Sequence, residues 1–317
     1  MISGFLGTLI TLERAVVGPR WSWAAPILAA LGSLTLLLMP PTDWSAGLFL
    51  GSAAVLTAFF IRAARQHPDP SIGVLGLGAA AWGLGQLIWL GSGSLPKAVP
   101  WWTAFLVLTI VGERLELARV IPRGRGIAGP FWGGVALVLL GLALGLILPV
   151  WGRRIVGSGW LTLAAWLARY DVAPRTVRQH GLVRYIAICM LAGYVWLGIG
   201  GVLDWLPGEA LAGPLYDARL HVVLIGFVFS MIFGHALIIF PAVLRIRLPF
   251  YRALYFPLAL LHLSLAIRLI GDLGGIFEVR RWGGLLNGVA ILLFLLLMAR
   301  AIREGRRTPA QGMGGER

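Results

Sequence analysis

The sequence predicts an all-α integral membrane protein, a single bundle of about eleven transmembrane helices. Three observations lead there. The mean hydropathy is +0.85, with 58% hydrophobic and only 13% charged residues over 317 positions, a composition no soluble domain of that length carries. Apolar runs that approach or reach the roughly 20 residues needed to cross a bilayer recur along nearly the whole chain. The basic residues are distributed asymmetrically between alternate loops.

The first span, 1 to 17, opens in apolar sequence at Met1 and closes on Arg14 and Arg20. The second, 22 to 40, follows Trp21 and Trp23 through the run Ser22 to Met39, and the third, 45 to 64, lies between Trp44 and the pair Arg62 and Arg65. The fourth, 71 to 91, ends at Trp89, and the fifth, 100 to 120, begins at Trp101 and Trp102 and ends among Arg114 and Arg119. The sixth, 129 to 151, is the run Pro130 to Val150 between Trp132 and Trp151; the seventh, 154 to 170, is short and bounded by Arg153, Arg154 and Arg169. The eighth, 182 to 205, ends at Trp205, and the ninth, 217 to 243, precedes Arg245. The tenth and eleventh are 251 to 272 and 281 to 302, the last opening at Trp282 and continuing through Leu285 to Met298. Indoles favour the membrane interface, so the tryptophans serve as anchors at span ends. Residues 1–302 are therefore expected to form one transmembrane domain, and 303–317 a disordered basic tail.

A net charge of +14 could suggest nucleic acid, but the arginines follow the loops instead. Of 27 Lys and Arg, twenty fall on one side, among them Arg119, Arg123, Arg125, Arg175, Arg178, Arg245, Arg247 and the five arginines after Ala299. Six fall on the other, Lys97, Arg153, Arg154, Arg219, Arg280 and Arg281, and Arg268 lies inside a span. The side with twenty is the cytoplasmic one by the positive-inside rule, which places the C-terminus in the cytoplasm. The use of arginine in place of lysine, with abundant alanine, glycine and leucine, reads as GC-rich coding and leads to the expectation of a bacterial inner membrane. Eleven spans would leave the N-terminus outside. Because Met1 has no polar flank, an upstream helix is expected, giving twelve spans in the full-length protein; a natural eleven-span chain is the alternative.

Phe5-Leu6, Ile10 and Glu13-Arg14 are echoed at the same offsets by Phe105-Leu106, Ile110 and Glu113-Arg114, four spans later. That offset suits a bundle of three four-helix quasi-repeats, although coincidence explains so short a match equally well. The lone cysteine, Cys189, excludes an intramolecular disulfide or a cysteine-held cluster and reads as packing.

Function is sought at ionisable groups inside the spans, because they are costly there. Three of the five histidines qualify: His221, His235 and His262. His67 and His180 sit in arginine-rich loops and read as solvated. His221 and His235 lie fourteen residues apart on the ninth span, on one face but roughly 21 Å apart by helical rise, too far to share a metal. In the tenth span His262 lies near the middle, while Arg268 and Asp272, four residues apart, reach about the level of His221. His221 with Arg268 and Asp272 suits a haem, the imidazole ligating iron and the arginine pairing with propionates. His235 with His262 suits a second metal such as copper, although two imidazoles alone are an incomplete site. Glu113 is the deepest acid of its span and a candidate on a proton path. The structural alternatives are a backbone-bonded His221, an Arg268–Asp272 ion pair, and snorkelling or intrahelical pairing for Glu113.

The stretches GFLGTLITLERA at 4–15, FLVLTIVGERLELAR at 105–119 and HVVLIGFVFSMIFGHALIIFPAV at 221–243 carry a further signal. With them the chain resembles uncharacterised bacterial polytopic proteins similar to the NnrS family and, remotely, haem-copper oxidase subunit I. The resemblance implies twelve helices in three four-helix arcs with haem between helices, and, through NnrS, a link to nitric-oxide stress. His221 matches a haem-ligand position at the external end of the helix corresponding to the tenth of twelve; the opposing histidine would precede Met1. The chain departs from oxidases in lacking a close histidine pair in the ninth span, further histidines in the fifth or sixth, and a tyrosine beside a ligand histidine. Oxygen reduction and proton pumping are therefore not expected.

Three functions remain in view. The first is a membrane haem or haem-copper protein handling electrons or a diatomic gas, nitric oxide or oxygen. The second is a proton-coupled secondary transporter working through His235, His262 and Glu113. The third is a non-catalytic assembly subunit of a respiratory complex. The lipid bilayer is a partner in all three, and other respiratory membrane subunits in the last.

Overall fold

The computed structural model describes residues 2–39, 42–117, 128–208, 211–244, 246 and 248–307. Arg119, Arg123, Arg125, Arg245, Arg247, the end of the fifth expected span and the tail beyond 307 lie outside them. The protein is an all-α polytopic membrane protein, and the described residues contain no strand. Its helices are α1 (Ile2–Val17), α2 (Ala24–Leu38), α3 (Asp43–Gln66), α4 (Pro70–Ser92), α5 (Leu95–Leu117), α6 (Ala128–Gly145), α7 (Pro149–Tyr170), α8 (Ala173–Thr176), α9 (Gly181–Trp205), α10 (Gly213–His221), α11 (Ser230–Leu244), α12 (Tyr255–Gly274) and α13 (Phe277–Arg307). A π-helical stretch, Val222–Phe229, joins α10 to α11 without a break.

Among the described residues nine helical segments are long and apolar enough to cross a membrane. The helices corresponding to the first and seventh expected spans are outside that set: α1 has 16 residues, and α7 carries Arg153, Arg154 and Arg169.

Helix ends follow local chemistry. Thr42 and Ser45 form a capping box at the start of α3, and the Asp69 carboxylate accepts from the Ser71 amide at 2.8 Å before Pro70 opens α4. Gly93 and Gly275 adopt left-handed φ of 63° and 66° at the ends of α4 and α12, a conformation glycine takes without steric cost. The sixth expected span ran through to 151, but α6 ends at Gly145 and α7 starts at Pro149. Proline lacks the amide needed to continue a helix and is well suited to begin one, so the break belongs before it. Pro241 instead lies inside α11, which runs on to Leu244. The last helix continues to Arg307, past the expected start of the tail at 303, and Arg300 bonds Glu304 one turn on at 2.8 Å.

Packing divides the chain into two compact units. The first comprises Met1–Asp171 and Gly200–Tyr216, and its core is aromatic: the fully buried Trp82 stacks on Phe105 at 4.9 Å between ring centres. Gly7 lets α1 approach that indole, since a Cβ there would fall 2.7 Å from Trp82. The buried Gln86, with its amide oriented so that oxygen faces the rings, accepts from the indoles of Trp82 at 3.2 Å and Trp102 at 3.1 Å. The echoed motifs meet here through the Arg14–Glu113 ion pair at 2.6 Å. Their leading aromatics have opposite fates, Phe5 being 62% exposed and Phe105 fully buried.

The second unit comprises Val172–Ile199 and Asp217–Arg317. Its centre is the α12–α13 hairpin with α11, held by Phe233 stacked on Phe294 at 3.8 Å. The Asn287 amide donates to Ser264 Oγ at 2.6 Å and to the Leu261 carbonyl at 3.2 Å.

Candidate functional site

Ionisable groups gather within the spans of the second unit. Asp217 and His221 lie one turn apart on α10, Arg268 and Asp272 one turn apart on α12, and Arg280 near the start of α13. Arg268 donates to Asp217 Oδ2 from Nη2 at 2.7 Å and Nε at 3.2 Å, whereas its Nε stands 3.9 Å from Asp272. Arg280 Nε lies 3.0 Å from Asp272 and 3.5 Å from Asp217. The Asp272 side chain is 0% exposed. Two carboxylates thus share two guanidinium groups, and the charges balance.

Glycines make this convergence possible. A Cβ at Gly283 would fall 2.5 Å from the Arg268 amide, and one at Gly271 would collide with the Arg280 amide, so only bare backbone lets α12 and α13 approach this closely. Gly275 closes the turn between them.

His221, Arg268 and Asp272, expected together, are brought together through Asp217. His221 Nδ1 is 2.8 Å from the Asp217 carbonyl and 3.4 Å from its carboxylate. A carbonyl can only accept, so Nδ1 carries the proton and Nε2 presents its lone pair. His235 has the same tautomer, with Nδ1 donating to the Met231 carbonyl at 2.7 Å.

His262 is arranged in the opposite sense. The Trp196 indole donates to its Nδ1 at 2.9 Å, which fixes the proton on Nε2, and Nε2 donates to Ser230 Oγ at 3.2 Å. Both ring nitrogens are engaged, so in this arrangement His262 offers no lone pair to a metal. Trp196 is seated against Gly226, where any Cβ would overlap the indole. Among the described residues no group of three or more His, Cys, Asp or Glu is placed to hold a metal ion.

The π stretch alters the relation between His221 and His235. Its eight residues wind with i→i+5 bonds, so the shared face obtained from 3.6 residues per turn does not carry across them. Such stretches recur at functional sites, and this one starts directly after His221 and ends directly before Ser230. Glu113, the candidate on a proton path, is in the first unit and is bound to Arg14.

Sequence reasoning missed Asp217, Arg280, Trp196 and Ser230. Asp217 carried a usable signal, four residues before His221; Arg280 was assigned to a loop, although the hairpin folds it back onto α12.

Fold and site together define a polytopic α-helical membrane protein with a cluster of ionisable Asp, Arg and His side chains inside its spans. The chain belongs to the family described as a domain of unknown function, DUF8744, which it matches over residues 1–303. No curated protein and no solved structure matches it.

Proposed function

We propose that the protein binds haem within the membrane and uses it to transfer electrons or to handle a diatomic gas, nitric oxide or oxygen. The single observation carrying this reading is the His221 tautomer: an Nδ1–H held by the Asp217 carbonyl is the arrangement that orients Nε2 as a metal ligand. His221 fits the group, since its Nε2 would be free to hold the iron. The fit is less full at the propionates, because Arg268 and Arg280 would have to be shared with Asp217 and Asp272. Haem would supply one-electron chemistry or gas binding at its iron. The chain's own residues would hold the imidazole in register, neutralise carboxylates and, through the closely packed α12–α13 hairpin, limit water. The resemblance to NnrS supports the same reading, and the arginine asymmetry supports an inner-membrane orientation with a cytoplasmic C-terminus. Copper between His235 and His262 is not part of this proposal, because both nitrogens of His262 are engaged. Titrating the detergent-purified full chain with hemin tests it: a saturable Soret band at one haem per chain is expected, and unspecific partitioning without saturation would overturn it.

A second reading, a proton-coupled transporter, is favoured by the internal charge balance of the cluster, which leaves no surplus cation for propionates. Uptake into vesicles that needs a proton gradient and is lost in His262→Ala would support it.

A further inference from the structure

In the first unit, away from the histidines, the start of α7 and the end of α9 form a second polar feature. Arg153 Nη1 donates to the Leu206 carbonyl at 3.1 Å, while its Nε and Nη2 are shielded from solvent without a hydrogen-bond partner among the described residues. Arg154 lies over the rings of Trp151 at 5.1 Å and Trp205 at 5.8 Å, and its Nε is likewise shielded and unmet. The Trp205 indole N–H is directed to Ser158 Oγ at 3.2 Å. The acid whose charge acts on Arg153 is Asp204, and the neighbouring Arg154 adds a second positive charge beside it. Around them Leu146, Ile147, Leu148, Val150, Trp151 and Trp205 are exposed.

Shielded guanidinium N–H groups with no acceptor are costly, and an arginine fork matches the oxygens of a phosphate. An exposed apolar collar with tryptophans is the surface acyl chains and the headgroup boundary prefer. We propose that Arg153 and Arg154 bind the phosphodiester of an anionic phospholipid, with its acyl chains against the exposed residues of the α6–α7 turn and the start of α7. Trp151 and Trp205, both well exposed, cover Arg154 and swing aside to admit the phosphate. The excess of positive charge distinguishes anionic from zwitterionic headgroups, and the collar distinguishes a lipid from a free anion.

Native mass spectrometry of the full chain with added dioleoyl phosphatidylglycerol, dioleoyl phosphatidylcholine or inorganic phosphate tests the site. The wild type is expected to retain phosphatidylglycerol about tenfold more strongly than phosphatidylcholine. Arg153→Gln/Arg154→Gln is expected to lose that preference and Arg281→Gln, in an exposed pair with Glu278, to keep it. Brominated phosphatidylglycerol should quench wild-type tryptophan fluorescence more than brominated phosphatidylcholine, with the difference diminished in Trp205→Phe, a readout that does not depend on the double variant folding. Equal retention of the two lipids by the wild type, an unchanged preference in the double variant, or displacement of the lipid by inorganic phosphate would each overturn the proposal.

Discussion

Two polar arrangements, one from each unit, are built in opposite ways. In the first, the buried Gln86 is met by neutral indole donors, and the Arg14–Glu113 pair, with the Glu13 charge acting on it, is partly exposed. In the second, Asp217, Asp272, Arg268 and Arg280 exchange partners inside the spans, with Asp272 fully shielded. A partly exposed pair near a helix end needs little from its surroundings. A shared, shielded cluster needs every member present, and needs the helix approach that Gly271 and Gly283 permit. The first arrangement is sufficient for assembly; the second has the cost profile of a site.

That contrast can be broken by removing one charge from each unit. Asp272→Ala should cost about 3–5 kcal/mol, because two guanidinium groups then compete for one carboxylate in a shielded place. Glu113→Ala should cost about 1 kcal/mol or less, because its pair is partly open and screened. Thermal unfolding of both variants in the same detergent checks this, and equal losses would erase the distinction. Next in size is Gly283→Ala, expected to cost about 1–3 kcal/mol by forcing α12 from α13. Adding Asp272→Ala to it should cost less than the sum of the two separately, since one approach serves both. The smallest effect is Ser230→Ala, about 1 kcal/mol, since it removes one neutral bond to His262 and leaves Trp196 in place. Indole resonance in solution NMR should shift little in that variant and strongly in His262→Phe.

The membrane class, the helix positions and the depth relation of His221 to Arg268 and Asp272 could be read from the sequence, because hydropathy and rise per residue are local properties. The break before Pro149 was missed because the apolar run continues through Leu146 to Val150 while the backbone does not. Asp217 and Arg280 were missed as partners because their roles depend on how α10 and α13 pack against α12, which no periodicity encodes. The opposite tautomers of His221 and His262 were equally hidden: one is decided by a carbonyl on its own helix, the other by Trp196 from α9. The π stretch leaves no mark in the apolar sequence of residues 222–229.

The difference between the histidines is also where the haem reading is most exposed to test. Hemin titration of His221→Ala, His235→Ala and His262→Ala, followed by the Soret band, measures it directly. The account predicts a band that is lost or strongly shifted in His221→Ala alone and kept in His262→Ala. An unchanged band in His221→Ala, or its loss in His262→Ala, would contradict it.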